Sequence, residues 1–294
     1  MKWIERLNEA INYIEENITE KIDYEQLAKI ACCSSYHFQR MFAYIADVPL
    51  SEYIRRRRMS LAVTDLQKGE KIIDIAVKYG YDSPTAFNRA FQSIHGISPS
   101  LAKQDGIILK TYPLINFKMN IKGSEEINFR LEKKDAFRIV GITEKLDKDF
   151  EENGKIVPRM WKEAKENGTI KKLESFMERS QEGIFGISAS KDLKEWQYYI
   201  AVATTKKIDK TLVEFTVPSL TWAVFCGGGH LTETMHELEK RIITEWFPTF
   251  GYEYNNGPNI AIEWYPKTNY DNLNLTPSQQ IPEFEIWIPV NKTK

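Results

Sequence analysis

The sequence predicts a multidomain chain: an all-α double helix-turn-helix domain followed by an α+β domain of two β-α-β-β units sharing a sheet. Three observations predict it. In the first hundred residues apolar side chains recur at three and four, as in Ile4, Leu7, Ile11 and Ile14. Beyond about residue 126 the period changes to two, as in Phe137 to Gly141 and Ile260 to Tyr265. Within the helical half, Phe38-Gln39-Arg40-Met41-Phe42 returns 49 residues later as Phe87-Asn88-Arg89-Ala90-Phe91.

These patterns place the first domain at 1–105, a linker at 106–125 punctuated by Gly106, Pro113 and Gly123, and the second domain at 126–294. Forty basic against forty-one acidic side chains give a net charge of −1, so no global field marks a polyanionic partner. No stretch approaches the roughly 20 apolar residues of a membrane span. The N-terminal segment is interrupted by charges, unlike a signal peptide. The three cysteines form no disulfide framework. A cytoplasmic protein without membrane contact is expected.

Each copy of the repeat reads as a short helix, a tight turn and a second helix. Leu27-Ala28 answers Ile75-Ala76, Ser34 answers Ser83, and Cys32 stands where Gly80 stands. Ser83 is a natural N-cap, with Pro84 at the first helical position. At 100° per residue, Phe38, Met41, Phe42 and Ile45 share one face, with Tyr36, Gln39, Arg40 and Ala43 opposite. In the second copy Phe87, Ala90, Phe91 and Ile94 point inward, while Thr85, Asn88, Arg89 and Gln92 point out. Each outward face thus carries an amide and an arginine one residue apart, the side chains that read adenine and guanine edges. Two ordinary helical hairpins with solvated faces would give the same pattern once, and far less readily twice. Charge is polarised as well. Residues 1–36 hold four basic and seven acidic side chains, and residues 37–103 hold ten and six. The run Arg55–Arg58 covers all sides of its helix, so at most two of the four face one phosphate.

The block from Ile22 to Lys103 resembles the DNA-binding domain of AraC/XylS-type transcription regulators. The likeness is carried by LAKIACCSSYHFQRMF, PLSEYIRRRRMSLA, IIDIAVKYGYDSPTAFNRAFQSIHGISPS and the closing Gly96-Ile97-Ser98-Pro99. It implies that two recognition helices enter successive major grooves of double-stranded DNA. Tyr36, Gln39 and Arg40 would contact DNA from the first, and Thr85, Ala86, Asn88 and Arg89 from the second. Ala86 offers only apolar contact, for example to a thymine methyl. RNA polymerase contact and domain orientation both stay open as the state that an effector would change.

In the second half the strand Asn259 to Tyr265 places Glu263 with Ala261 and Tyr265 on one face and Ile260, Ile262 and Trp264 on the other. A mid-strand carboxylate among aromatic neighbours needs a partner if buried. A cationic ligand would serve, with the rings adding cation–π attraction. So would a structural Lys or Arg, or an exposed strand face. The doubled β-α-β-β order, Val217-Pro218-Ser219-Leu220-Thr221-Trp222-Ala223-Val224-Phe225 and Ile260-Ala261-Ile262-Glu263-Trp264-Tyr265 resemble the GyrI-like effector-binding domain. That likeness implies a small lipophilic, often cationic effector at Glu263. Trp222 and Tyr265 are the favoured walls, and Tyr198, Tyr199, Trp264 and Trp287 are further candidates.

Other features are left as ordinary. Gly227-Gly228-Gly229 lacks the Lys-Ser/Thr of a phosphate loop. Cys32-Cys33 has no third metal ligand in view. His230 and His236 read as surface residues, and no nucleophile–base pair is visible. The expectation is a non-enzymatic, effector-responsive transcription regulator with no catalytic residue, cofactor or metal. A GyrI-like hydrolase of small molecules, with Glu263 as general base, and a drug-sequestering protein fused to a DNA-binding domain are the alternatives.

Overall fold

The computed structural model describes residues 3–104, 106–117, 126–147, 150–178, 182–190, 195–208, 210–227, 231–255, 257, 259–267 and 283–292. They fall into two units, one of Met1–Ala31 with His37–Lys118 and the other of Cys32–Tyr36 with Met119–Lys294.

The helical periodicity becomes α1 (Trp3–Glu16), α2 (Tyr24–Ala31), α3 (Ser35–Ala46), α4 (Leu50–Gln67), α5 (Ile72–Lys78) and α6 (Pro84–His95). The inward face drawn for each repeat is buried at Phe38, Met41 and Phe42 and at Phe87, Phe91 and Ile94. Ser83 caps α6, accepting the Ala86 N–H at 3.1 Å, and Pro84 opens the helix. The turn equivalence also holds: Gly80 has φ +76° and Cys32 has φ +53°. A left-handed residue other than glycine costs about 1–2 kcal/mol, so the first turn carries strain that the second avoids.

α4 joins the two helix pairs, and its arginines all make hydrogen bonds within the first unit. Arg55 and Arg56 each bond Glu52 through Nε at 2.6 Å. Arg57 clasps Glu15 of α1 at 2.6 Å and donates to the Tyr112 carbonyl at 2.6 Å. Arg58 donates to the carbonyls of Ile18 and Glu20 beyond α1 at 2.8 and 2.5 Å. Near the end of α4, Asp65 accepts from the Tyr79 hydroxyl at 2.7 Å and from Lys78 at 2.8 Å. Burial pushes the Asp65 carboxyl up, but these bonds outweigh it and hold the group below its usual range.

The second unit contains β1 (Phe129–Lys134), β2 (Phe137–Lys145), α7 (Phe150–Glu166), α8 (Thr169–Glu174), β3 (Gly183–Ser190), β4 (Trp196–Ala203) and β5 (Val213–Val217). It continues with β6 (Leu220–Gly227), α9 (Leu231–Arg241), a π turn at Ile242–Trp246, α10 (Phe247–Phe250), β7 (Tyr252–Tyr254), β8 (Ile260–Pro266) and β9 (Phe284–Lys292). All eight elements of the doubled β-α-β-β order are present, with β1, β5, β7, α8 and α10 added. α7 begins at Phe150 and holds Pro158 in its interior. Between α9 and α10 the helical path is interrupted by the π turn. Pro248, one residue past Phe247, has no N–H for the Thr244 carbonyl, which accounts for the departure there.

The strands form one antiparallel sheet in the order β1-β6-β9-β8-β3-β4-β2-β5, with β7 on β9. Three strands of one half, β2-β4-β3, mirror three of the other, β6-β9-β8, and the halves meet along β3 and β8. Each half lends an edge to the other: β1 leads into β2 but pairs with β6, and β5 leads into β6 but pairs with β2. Only Asp135-Ala136 and Pro218-Ser219 make these links, so the sheet must curl until its opposite edges nearly meet. The Phe137 and Trp287 rings, four strands apart in the order, lie 6.4 Å from centroid to centroid. In a flat sheet they would be about 19 Å apart. The concave face encloses Phe185, Ile187, Ala201, Val217, Trp222, Val224, Ile262 and Trp287. The opposite face, with Val140, Tyr198, Ile200 and Val202, is covered by Met160, Trp161 and Ala164 of α7 and by Leu173 of α8.

The segment expected as linker is corrected up to residue 117: it belongs to the first unit, where hydrogen bonds hold it to α1 and α4. Residues 118–125, like Gly228, Gly229 and His230, lie outside the described residues.

His95 sets a pH dependence for the helical unit. Its ring packs on Phe91 at 4.2 Å and one nitrogen lies 3.3 Å from the Met59 carbonyl. Burial lowers its pKa, and the Lys110 charge adds to that. The neutral ring is the native form, so its stabilisation is present above the unfolded value of about 6.5 and is lost as pH falls toward the depressed native value. Helical circular dichroism should show a lower melting temperature at about pH 5.5 than at about pH 7.5, before carboxylates protonate. His95→Gln should flatten that difference.

Candidate effector site and DNA-reading surface

Alternation along β8 puts Ile260, Ile262 and Trp264 into the concave core, so Glu263 and Tyr265 face the helix-covered side. β3 beside it carries Gly186 opposite Glu263. β4 follows with Tyr198, whose hydroxyl reaches across Gly186 and donates to Glu263 Oε2 at 3.0 Å. Tyr265, two residues along the same strand, donates to that oxygen at 3.0 Å. From α7 the Trp161 indole N–H donates to the Tyr198 hydroxyl at 3.0 Å, and its ring stands edge-on to Tyr265 at 5.2 Å. From α9 the Met235 sulfur lies 4.0 Å from the Tyr265 hydroxyl.

A carboxylate, two phenols, an indole and a thioether therefore converge where the two halves of the sheet meet. Burial, followed by the Glu263 charge, raises the Tyr198 pKa well above its usual value. Tyr198 is consequently a neutral hydrogen-bond donor at physiological pH. Phenol donors solvate a carboxylate without cancelling its charge, which leaves this oxygen set suited to a cation. Rings at this spacing suit one carrying apolar groups.

Glu263 and Tyr265 stand together as the sequence suggests; Trp222 does not. Its expected place in the pocket is corrected, because Trp222 shares a face with Val224 and Trp287, opposite to Glu263, and is fully buried in the concave core. Tyr199, Trp264 and Trp287 lie in or against that core too. Trp161, Met235 and Gly186 went unforeseen. A glycine inside an otherwise apolar strand, Phe185-Gly186-Ile187, signals close approach of another group. Trp161 and Met235 come from helices whose facing depends on tertiary packing.

On α6, Thr85, Ala86 and Arg89 are exposed and Asn88 is half-buried. On α3, Tyr36, Gln39 and Arg40 are 7%, 5% and 8% exposed. Tyr36 sorts with the second unit and lies within its core cluster. The Arg40 guanidinium lies 5.6 Å from the centre of the Tyr44 ring, one turn on.

Residues 130–290 match the family of integron-associated effector binding proteins, Cass2, and residues 27–104 match a helix-turn-helix domain family. The chain belongs to the Cass2 family and carries an AraC-type DNA-binding domain. The HTH-type transcriptional activator AarP of Providencia stuartii is 41% identical over 96 residues, covering 32% of this chain and 71% of AarP. Regulatory protein SoxS of Salmonella typhimurium is 37% identical over 91 residues, covering 31% of this chain and 85% of SoxS. The structure of SAV2435 bound to tetraphenylphosphonium covers 56% of this chain and 94% of its own, with 18% identity and a TM-score of 0.45. This regulator thus joins a DNA-binding domain to a GyrI-like effector-binding domain. Among the described residues no helix is long and apolar enough to cross a membrane.

Gly186 tests the geometry. A Cβ there would stand 2.2 Å from the Tyr198 hydroxyl and 3.0 Å from Glu263 Oε2. Tyr198 is pinned by its hydrogen bonds and burial, so Gly186→Ala should cost about 1–3 kcal/mol in thermal or denaturant unfolding. Gly186→Ala/Tyr198→Phe, which removes the clashing oxygen, should recover part of that loss, giving a coupling that a double-mutant cycle measures.

Proposed function

We propose that the effector is a lipophilic cation held at Glu263 and that α6 reads the operator. The observation that carries the first part is the convergence of Tyr198 and Tyr265 on one oxygen of Glu263. Trp161 and Met235 supply polarizable surface for the effector's apolar groups. Thr85, Ala86, Asn88 and Arg89 lie in the first two turns of α6, the part of a recognition helix that meets base edges. Arg89 suits guanine, Asn88 suits adenine, and Ala86 suits a thymine methyl. From α3, Tyr36, Gln39 and Arg40 join them, with Gln39 suited to adenine and Arg40 to guanine.

The regulator is read as a binding protein rather than an enzyme, and its work as cytoplasmic, where the chromosome lies. AarP is a transcriptional activator, which favours activation as the output here and RNA polymerase as a further partner. Release of product from labelled electrophiles, abolished by Glu263→Gln, would replace the binding role with a hydrolytic one.

Calorimetry of an aromatic quaternary ammonium dye and its neutral isostere tests the effector class. Glu263→Gln should weaken the cation by about tenfold or more, within the range of a desolvated cation contact, and leave the neutral compound nearly unchanged. Equal losses would remove Glu263 from the site. Arg89→Ala should cost about 1–3 kcal/mol at one base position and leave effector binding intact. A uniform loss on all sequences would reduce Arg89 to a phosphate contact.

A further inference from the structure

The segment between Leu109 and Phe117 runs the length of α4. At one end Leu109 and Tyr112 pack against the core of the second helix-turn-helix. In the middle the Tyr112 N–H donates to Ser60 Oγ at 2.9 Å, its carbonyl accepts from Arg57 at 2.6 Å, and its ring lies 5.0 Å from the Arg56 guanidinium. Further along, the Ile115 N–H reaches the Tyr53 hydroxyl at 3.5 Å. At the other end Asn8 of α1 bonds both sides of Phe117, accepting its N–H at 2.8 Å and donating to its carbonyl at 3.0 Å. There the Phe117 ring stands edge-on to Phe42 of α3 at 6.1 Å. Eight extended steps span about 26 Å and the 18 residues of α4 about 27 Å, so the strap matches the helix it follows.

From this we infer that the strap is a positioning element for DNA reading, one that fixes the separation of the two helix-turn-helix units. α4 joins them, packing on the second through Met59, Ala62 and Leu66 and on α3 of the first through Tyr53, whose ring lies 5.3 Å from Phe42. The strap adds a second connection, touching the core of one unit and α3 of the other and bonded to α4 between them. Asn8 and Ser60 are its positioning residues. Both act through backbone groups of the strap, and neither lies on a reading face. Operators whose half-sites are separated by one base pair more are shifted by about 3.4 Å and a tenth of a turn, which a braced pair rejects and a loose pair tolerates.

The inference rests on DNA reading by both helices, and its test separates the two. The full-length regulator and its Asn8→Ala/Ser60→Ala variant each select from a random-sequence duplex library. The wild type should return two half-site motifs at one separation. The variant should return the same motifs spread over several separations, with affinity for a single half-site unchanged. One separation in both proteins overturns the spacing role, as does loss of both motifs from a variant that keeps its helical signal. A single motif from the wild type overturns the requirement that α3 reads, while α6 reading stands. If the double variant unfolds, Ser60→Ala, which removes one hydrogen bond from the strap, decides by the same readout.

Discussion

The structure of the second unit depends on keeping a carboxylate among aromatic rings on the helix-covered face of a sheet. Glu263 sits there because alternation on β8 leaves it no other face once Ile260 and Ile262 enter the core. Its position is tolerable because hydroxyls come to it. Gly186 opens the space between strands, and Tyr198 crosses that space. Remove the glycine and the phenol has nowhere to stand; remove the phenols and the carboxylate loses its nearest donors. Strand register, a missing side chain and two tyrosines are thus one arrangement.

The concave face makes the contrast. Glu285 on β9 is a buried carboxylate, 3% exposed. It receives a two-point guanidinium from Arg130 at 2.8 and 3.1 Å and the Trp287 indole at 2.7 Å. A guanidinium neutralises as well as solvates, and its fork fixes β1 against β9 across the intervening strand β6. Phenols only solvate. One sheet therefore carries a buried glutamate braced by a guanidinium and a half-buried glutamate met by two phenols, and it is at the second that the cationic effector is proposed to bind.

The helical half was legible because its information is local and doubled. Periodicity assigned the buried faces of α3 and α6, and the equivalence of Cys32 with Gly80 even marked the backbone conformation of the turn. The doubled β-α-β-β order was legible for a related reason, since strand alternation is local too. Reach between strands was not. Trp222 and Trp287 look like pocket walls to a reader of composition, but one residue of register sends a strand side chain to the opposite face. The strap was missed because an extended segment shows no period when its backbone, rather than its side chains, makes the contacts.

The arginines of α4 carry the last step. Four consecutive basic residues in a DNA-binding domain invite an electrostatic reading, and the excess of basic over acidic residues at 37–103 depends on them. Yet Arg55 and Arg56 share Glu52, Arg57 holds Glu15, and Arg58 holds two carbonyls. Their charge and hydrogen bonds assemble α1, α4 and the strap into a frame. Glu15 and Glu52 offset two of these four charges, so the run builds structure and still keeps a positive excess. Discrimination among DNA sequences falls to base-reading side chains, such as those α6 presents near its N-terminus. Their value depends on being held at a fixed place and angle, which is what the arginine-built frame provides.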